Sequence, residues 1–223
     1  MCFLKLQFAN LHFYFWLSLI ICIFGSIATT LYFEIQILHL AIGISGILYA
    51  FFAGQGKIIC FSFGLIYCLG YIYICYEAKL YGDLMLTILY IPLNILGIFT
   101  WKKNQNLSKT KILIRKLTKH NFIMYISAGL FVSLIYGFFL KKIHSEFPFL
   151  NAFSTMAQIL AFYLQIQRYQ ENYLIVTFAN GILCYIWLNL FLQQTTYLPQ
   201  LFNATIFLLL GIFYYFKWKK EAQ

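Results

Sequence analysis

Residues 57–101 read KIICFSFGLIYCLGYIYICYEAKLYGDLMLTILYIPLNILGIFTW, and residues 172–215 read NYLIVTFANGILCYIWLNLFLQQTTYLPQLFNATIFLLLGIFYY. Each has a short polar opening, two long apolar runs and the tripeptide Gly-Ile-Phe. Gly97-Ile98-Phe99 leads into Trp101-Lys102-Lys103, and Gly211-Ile212-Phe213 leads into Lys217-Trp218-Lys219-Lys220. About 20 apolar residues in a helix cross the roughly 30 Å hydrocarbon core of a bilayer. Adding the preceding run to each stretch gives two triplets, 36–101 and 149–218, separated by one lone run, 119–141. Three crossings turn the second triplet over and the lone run turns it back, so the two face the same way. Parallel repeats related by an axis along the membrane normal hold substrate near the midplane at their interface. The bland alternative is that two apolar hairpins of similar length always look somewhat alike.

The rest of the chain is of the same kind. Of its 223 residues, 62% are hydrophobic, 21% aromatic and 10% charged, whereas a soluble domain carries about 25% charged residues. Eight spans are expected, at 11–33, 36–53, 58–77, 81–101, 119–141, 149–167, 171–192 and 196–218. The even alternation of a membrane barrel is missing, so the fold class is an all-α membrane protein, a helical bundle. Its expected divisions are an extra N-terminal helix (1–35), a first three-helix repeat (36–101), a basic cytoplasmic loop with a linker helix (102–148), and a second three-helix repeat with a basic tail (149–223).

The first span could instead be a signal peptide, since Lys5 precedes it and small residues follow at Gly25 to Ala28. Charge parity keeps it. With eight spans and a cytoplasmic amino terminus, Lys5, Lys57, Lys102, Lys103, Lys109, Lys111, Arg115, Lys116, Lys119, Arg168, Lys217, Lys219 and Lys220 fall inside. Only Lys79, Lys141 and Lys142 fall outside. This is the positive-inside bias, with both termini cytoplasmic. The loop 102–119 lacks the interleaved aromatics of a nucleic-acid surface, so its charge orients the protein in its membrane.

Chemistry is scarce. The acids Glu34, Glu77, Asp83, Glu146, Glu171 and Glu221 all lie at expected helix ends or in loops, which argues against a proton or sodium relay at mid-membrane. The cysteines (Cys2, Cys22, Cys60, Cys68, Cys75, Cys184) form no metal-binding spacing and read as small buried hydrophobes. His12, His39, His120 and His144 fall near the interfaces, in solvated or capping roles. No phosphate-binding loop, H-E-x-x-H helix or Ser/His/Asp set is present, so neither an enzyme nor a cofactor or metal site is expected.

What the spans do contain is neutral and polar. Tyr173, Asn180 and Trp187 recur at seven-residue steps with Thr177 beside them; Thr87, Asn94 and Trp101 do the same; Gln158 sits at mid-span. An amide in hydrocarbon needs a partner, and each of these alone reads as glue between helices as readily as a substrate contact. Together they describe a polar, aromatic-walled cavity for a small neutral or cationic ring compound. Pro92 and Gly97 mark a place where the helix can bend.

At these residues the chain resembles the PnuC family of bacterial vitamin transporters. The pieces that carry the likeness are Lys57 through Gly64-Leu65-Ile66, Leu80-Tyr81, Asn94 through Trp101, Phe147-Pro148-Phe149 and Arg168-Tyr169-Gln170-Glu171-Asn172-Tyr173. Together they cover roughly residues 36–218. The family signature W-x-x-W-x-x-x-N appears here as Tyr173, Val176 and Asn180, and a glutamine of many riboside carriers appears as Thr87. Tyrosine keeps a face for stacking; valine removes a ring.

The resemblance implies a SWEET-like three-plus-one-plus-three core in the bacterial inner membrane. It implies uptake of nicotinamide riboside by facilitated diffusion, trapped by a cytoplasmic kinase. Tyr173 would stack on the ring, Asn180 and Asn94 would bond amide or ribose groups, and Gln158 and Thr87 would complete the lining. Trp101 would act either at the site or as an interfacial anchor. The partners are then a vitamin, the lipid bilayer and the kinase, with no nucleic acid and with room for a homo-oligomer. Thiamine as cargo is the nearest alternative; a substrate-free membrane assembly subunit is the alternative of another class.

Overall fold

The computed structural model describes residues 3–33, 36–106 and 110–222; Cys2, Glu34 and Lys109, used in the sequence reading, lie outside them. The described helices are α1 (Phe3–Phe8), α2 (Phe13–Tyr32), α3 (Ile37–Gly54), α4 (Cys60–Glu77), α5 (Tyr81–Lys103), α6 (Lys119–Lys142), α7 (Pro148–Ile166), α8 (Asn172–Gln193) and α9 (Leu198–Glu221). Eight of them, α2 to α9, are long and apolar enough to cross a membrane. Their ends fall within three residues of the expected ones. The short α1 was not anticipated; the Lys57 ammonium holds it by donating to the Ala9 carbonyl at 2.6 Å and the Leu6 carbonyl at 3.4 Å.

Helix starts and stops follow local chemistry. Pro148 and Pro199 occupy first-turn positions of α7 and α9, where no amide hydrogen is needed. Thr118 accepts from the Asn121 amide to cap α6. α5 runs through Pro92 without a break. α3 and α7 end in the same turn. In the first, the Gly56 amide donates to Ala53 and that of Lys57 to Phe52; in the second, Arg168 donates to Gln165 and Tyr169 to Leu164. Gly56 (φ 67°) and Arg168 (φ 67°) are the left-handed residues these paired bonds require. Both turns lie at the lysine-rich end, as two same-facing repeats demand.

Neighbouring helices close a ring in the order α3, α4, α5, α7, α8, α9 and back to α3; α2 packs outside on α3 and α9, and α6 outside on α7. Rotating one triplet onto the other exchanges the α5–α7 seam with the α9–α3 seam, the two-fold relation of a parallel repeat. Each seam carries a matching bond at the basic end. The Trp101 indole of α5 donates to the Gln165 carbonyl of α7 at 3.0 Å, and the Trp218 indole of α9 donates to the Gly54 carbonyl of α3 at 3.0 Å. Apolar side chains left exposed, such as Phe131 and Phe138 on α6, face outward where lipid lies.

The connection from α5 to α6 is less of a free loop than its charge implies. Ile112, Ile114 and Leu117 are buried while Lys111, Leu113 and Arg115 are exposed, the alternation of an extended segment. Backbone bonds tie it to Gly56 and to Arg168 and Gln170, so it bridges both repeats at the basic end. Among the described cysteines, Cys60, Cys68 and Cys75 are buried as expected, whereas Cys22 and Cys184 are only half-buried.

Candidate functional site

Inside the ring lies a cavity of about 130 Å³. Since roughly 10–15 Å³ of such space holds one water, this is a chamber and not a packing flaw. Each ring helix gives it one stripe at steps of three or four residues: Gly46, Tyr49 and Ala53 from α3, Gly64, Cys68 and Tyr71 from α4, and Thr87, Tyr90 and Asn94 from α5. α7 adds Gln158 and Gln165, α8 adds Tyr173, Val176, Asn180 and Trp187, and α9 adds Gln200, Asn203 and Tyr214. Among the described residues, no lysine, arginine, aspartate or glutamate lines it.

Five of the six residues singled out from the sequence line this chamber: Tyr173, Asn180, Asn94, Gln158 and Thr87. Trp101 does not. It lies in the last turn of α5, past the chamber, with no exposed surface, against Phe61 (centroids 4.8 Å) and Trp218 (6.3 Å). Its nitrogen donates to the Gln165 carbonyl, which makes it a joint between the repeats at the basic end, beside the chamber and not on its wall.

The hydrogen-bond accounts of the others differ. The Asn94 Nδ2 donates to the Tyr90 carbonyl at 2.8 Å, while its Oδ1 is buried with no partner among the described residues. Gly64 makes room for that oxygen, since a Cβ there would lie 2.4 Å from it. The Tyr173 hydroxyl is likewise buried and unpartnered, and its ring meets Trp218 edge-on at 4.9 Å. Thr87 donates to the Asp83 carbonyl at 2.6 Å, and the Gln158 Nε2 donates to Asp83 Oδ1 at 3.2 Å. Asn180 is buried and makes no recorded side-chain hydrogen bond among the described residues.

Several site residues escaped the sequence reading. Asn151, Gln158 and Gln165 step by seven along α7, the signal that singled out α8, yet only the middle one was taken. Asp83 does open α5, as expected, but it is buried at 1% exposure and faces α7. His39 is also buried, at 4%, in place of the solvated or capping role expected of it; the Gln200 Nε2 lies 3.4 Å from its Nδ1. Both atoms of the Asn203 amide and the Gln165 Nε2 are buried without partners among the described residues. Across the basic end of the chamber, the Tyr49 hydroxyl on α3 donates to Gln165 Oε1 on α7 at 2.8 Å. Those helices are not ring neighbours, so this bond crosses the chamber.

The helical fold has a counterpart in known proteins. The profile of the family described as nicotinamide mononucleotide transporter matches residues 36–220. The chain belongs to that family. It is similar to the nicotinamide riboside transporter PnuC of Neisseria mucosa, 30% identical over 186 residues, with 81% of this chain and 71% of that protein covered. It is 27% identical over 185 residues to the nicotinamide riboside transporter PnuC of Haemophilus influenzae, with 81% and 78% covered. The crystal structure of the vitamin B3 transporter PnuC superposes with a TM-score of 0.88 at 25% identity, covering 98% of this chain and 96% of that one. Family and fold thus agree on a multi-pass membrane transporter of the PnuC kind, not an enzyme. The extra helix α2 lies ahead of the matched family region.

Proposed function

We propose that the chain takes up nicotinamide riboside across the bacterial inner membrane by facilitated diffusion. The basic end and both termini face the cytoplasm, and a cytoplasmic kinase traps the product. The observation that carries this reading is the ring of buried polar atoms on one chamber that have no partner among the described residues: Asn94 Oδ1, Gln165 Nε2, the Tyr173 hydroxyl and the Asn203 amide. Each unpaired group costs about 1–3 kcal/mol, which a hydroxylated, amide-bearing cargo can offset. The lack of lysine and arginine in the lining argues for the riboside over a phosphorylated nucleotide, whose phosphate would find no cation there. It also makes phosphorylation an effective trap. Alternating access would require parting the Tyr49–Gln165 bond, which crosses the chamber near its basic end.

Thiamine is the second reading. Val176 and Thr87, the two departures from the riboside pattern, both fall on the chamber wall. The substrate-free assembly subunit fits poorly with a chamber flanked by Asn94, Gln158 and Asn180. Binding of riboside, mononucleotide and thiamine to the purified protein decides among these. Riboside should bind and the mononucleotide should not, and Asn180→Ala should weaken riboside binding at least tenfold. Tighter thiamine binding would reassign the cargo; no binding of any would end the reading.

A further inference from the structure

Asp83 is 1% exposed, and both of its carboxylate oxygens accept. The Gly82 amide donates to Asn151 Oδ1 at 2.9 Å, which fixes that side chain so that its Nδ2 donates to Asp83 Oδ2 at 2.8 Å. A Cβ on Gly82 would sit 2.3 Å from the same Oδ1, so the glycine is what lets α5 and α7 meet here. The Gln158 Nε2 takes the other oxygen at 3.2 Å. Both hydrogen-bond partners of the carboxyl are thus amide donors, which favour its charged form against the cost of burial. Among the described residues it has no cationic partner; the ion pair there is Lys111 with Glu221, at the far end of the molecule. The corresponding place on the other seam, between α9 and α3, holds the Gln200 and His39 pair instead. An unpaired buried charge is costly and is retained where it serves a site.

We propose that Asp83 is a positioning and specificity residue that makes the chamber prefer a cationic ring, acting through Gln158. It does not line the chamber itself; Thr87, one turn on, and Gln158 do. By committing the Gln158 Nε2, it leaves Oε1 as the atom offered to a cargo hydroxyl or carboxamide. Its charge at one seam draws the positive ring of the cargo toward α5 and α7. The proposal deepens the reading of the chamber as a vitamin site and rests on it.

The test uses full-length protein and two ligands of the same shape: nicotinamide riboside, a pyridinium cation, and its reduced dihydropyridine form, which is neutral. In Asp83→Asn, affinity for the cation should fall roughly tenfold or more, and that for the neutral form less than threefold. Asp83→Glu should restore most of the difference. A cation-to-neutral ratio that stays within twofold of the wild type, or equal loss of both ligands in a protein that still elutes as folded, overturns the proposal. If Asp83→Asn does not accumulate, Gln158→Lys supplies the missing ammonium internally and should erase the same preference; an undiminished preference there overturns it too. Wild-type protein that binds neither form would refute the riboside reading alone. Thiamine against its uncharged thiophene analogue then decides the role of Asp83 by the same ratio.

Discussion

The two indole bonds that join the repeats look alike, but their acceptors differ, and the difference predicts unequal mutants. Gly54 is the last residue of α3, and among the described residues the recorded donor to its carbonyl is the Trp218 indole alone. The Gln165 carbonyl, which takes the Trp101 indole, also accepts the Arg168 amide at 2.9 Å. Replacing either tryptophan by phenylalanine loses similar packing: both are without exposed surface, and each meets one ring edge-on, at 4.8 Å for Trp101 and 4.9 Å for Trp218. That part cancels in the comparison. What remains is an orphaned buried carbonyl in Trp218→Phe, about 1–3 kcal/mol, against a lost net bond of about 0.5–1.5 kcal/mol in Trp101→Phe. Trp218→Phe should therefore be the less stable by about 1–2 kcal/mol, a Tm lower by about 2–8 °C for a chain of this size. Heating in detergent followed by size-exclusion chromatography measures this without relying on tryptophan fluorescence. Equal losses, or a larger loss in Trp101→Phe, would refute the reasoning.

Gly64→Ala should displace the Asn94 amide, because its Cβ would lie 2.4 Å from Oδ1; a binding titration should show affinity at least tenfold weaker in protein that still folds. Tyr49→Phe removes the bond across the basic end, worth about 1 kcal/mol, and should raise liposome uptake up to about fivefold with little change in binding affinity. Burial, with the charges of Lys217 and Lys111 adding to it, lowers the Lys57 pKa from its ordinary 10.5 to about 8. The folded protein then holds fewer protons than the unfolded chain between those values, so stability should rise with pH across that window. The pH dependence of Tm, compared between wild type and Lys57→Met, should lose this component in the variant. Gly56→Ala forces a Cβ onto a residue at φ 67° and to within 3.1 Å of Ile112, and should cost about 1–2 kcal/mol in the same thermal assay.

Spans, their number and their order were legible because hydrocarbon leaves the backbone one economical choice, a helix about 20 residues long, and apolar run length reports it directly. Five chamber residues were legible for a related reason: a polar side chain in such a run needs a partner, and spacing by seven puts several on one face. The same rule pointed to Trp101, which lies past the chamber, because spacing says which side of a helix a residue takes and not where along the helix the chamber stops. Asp83, Asn151 and His39 were hidden for the converse reason. Each lies near a helix end, where polar residues are ordinary, and only the crossing of a second helix turns such a position into a buried one. The extended run through Ile112 and Ile114 was masked by the lysines around it. Composition and periodicity thus set the membrane class, the paired triplets and the polar stripes. The meeting of α5 with α7 and of α9 with α3 decided which stripe residues share a chamber and which carboxylate is sealed beside it, because those contacts join residues far apart in the chain.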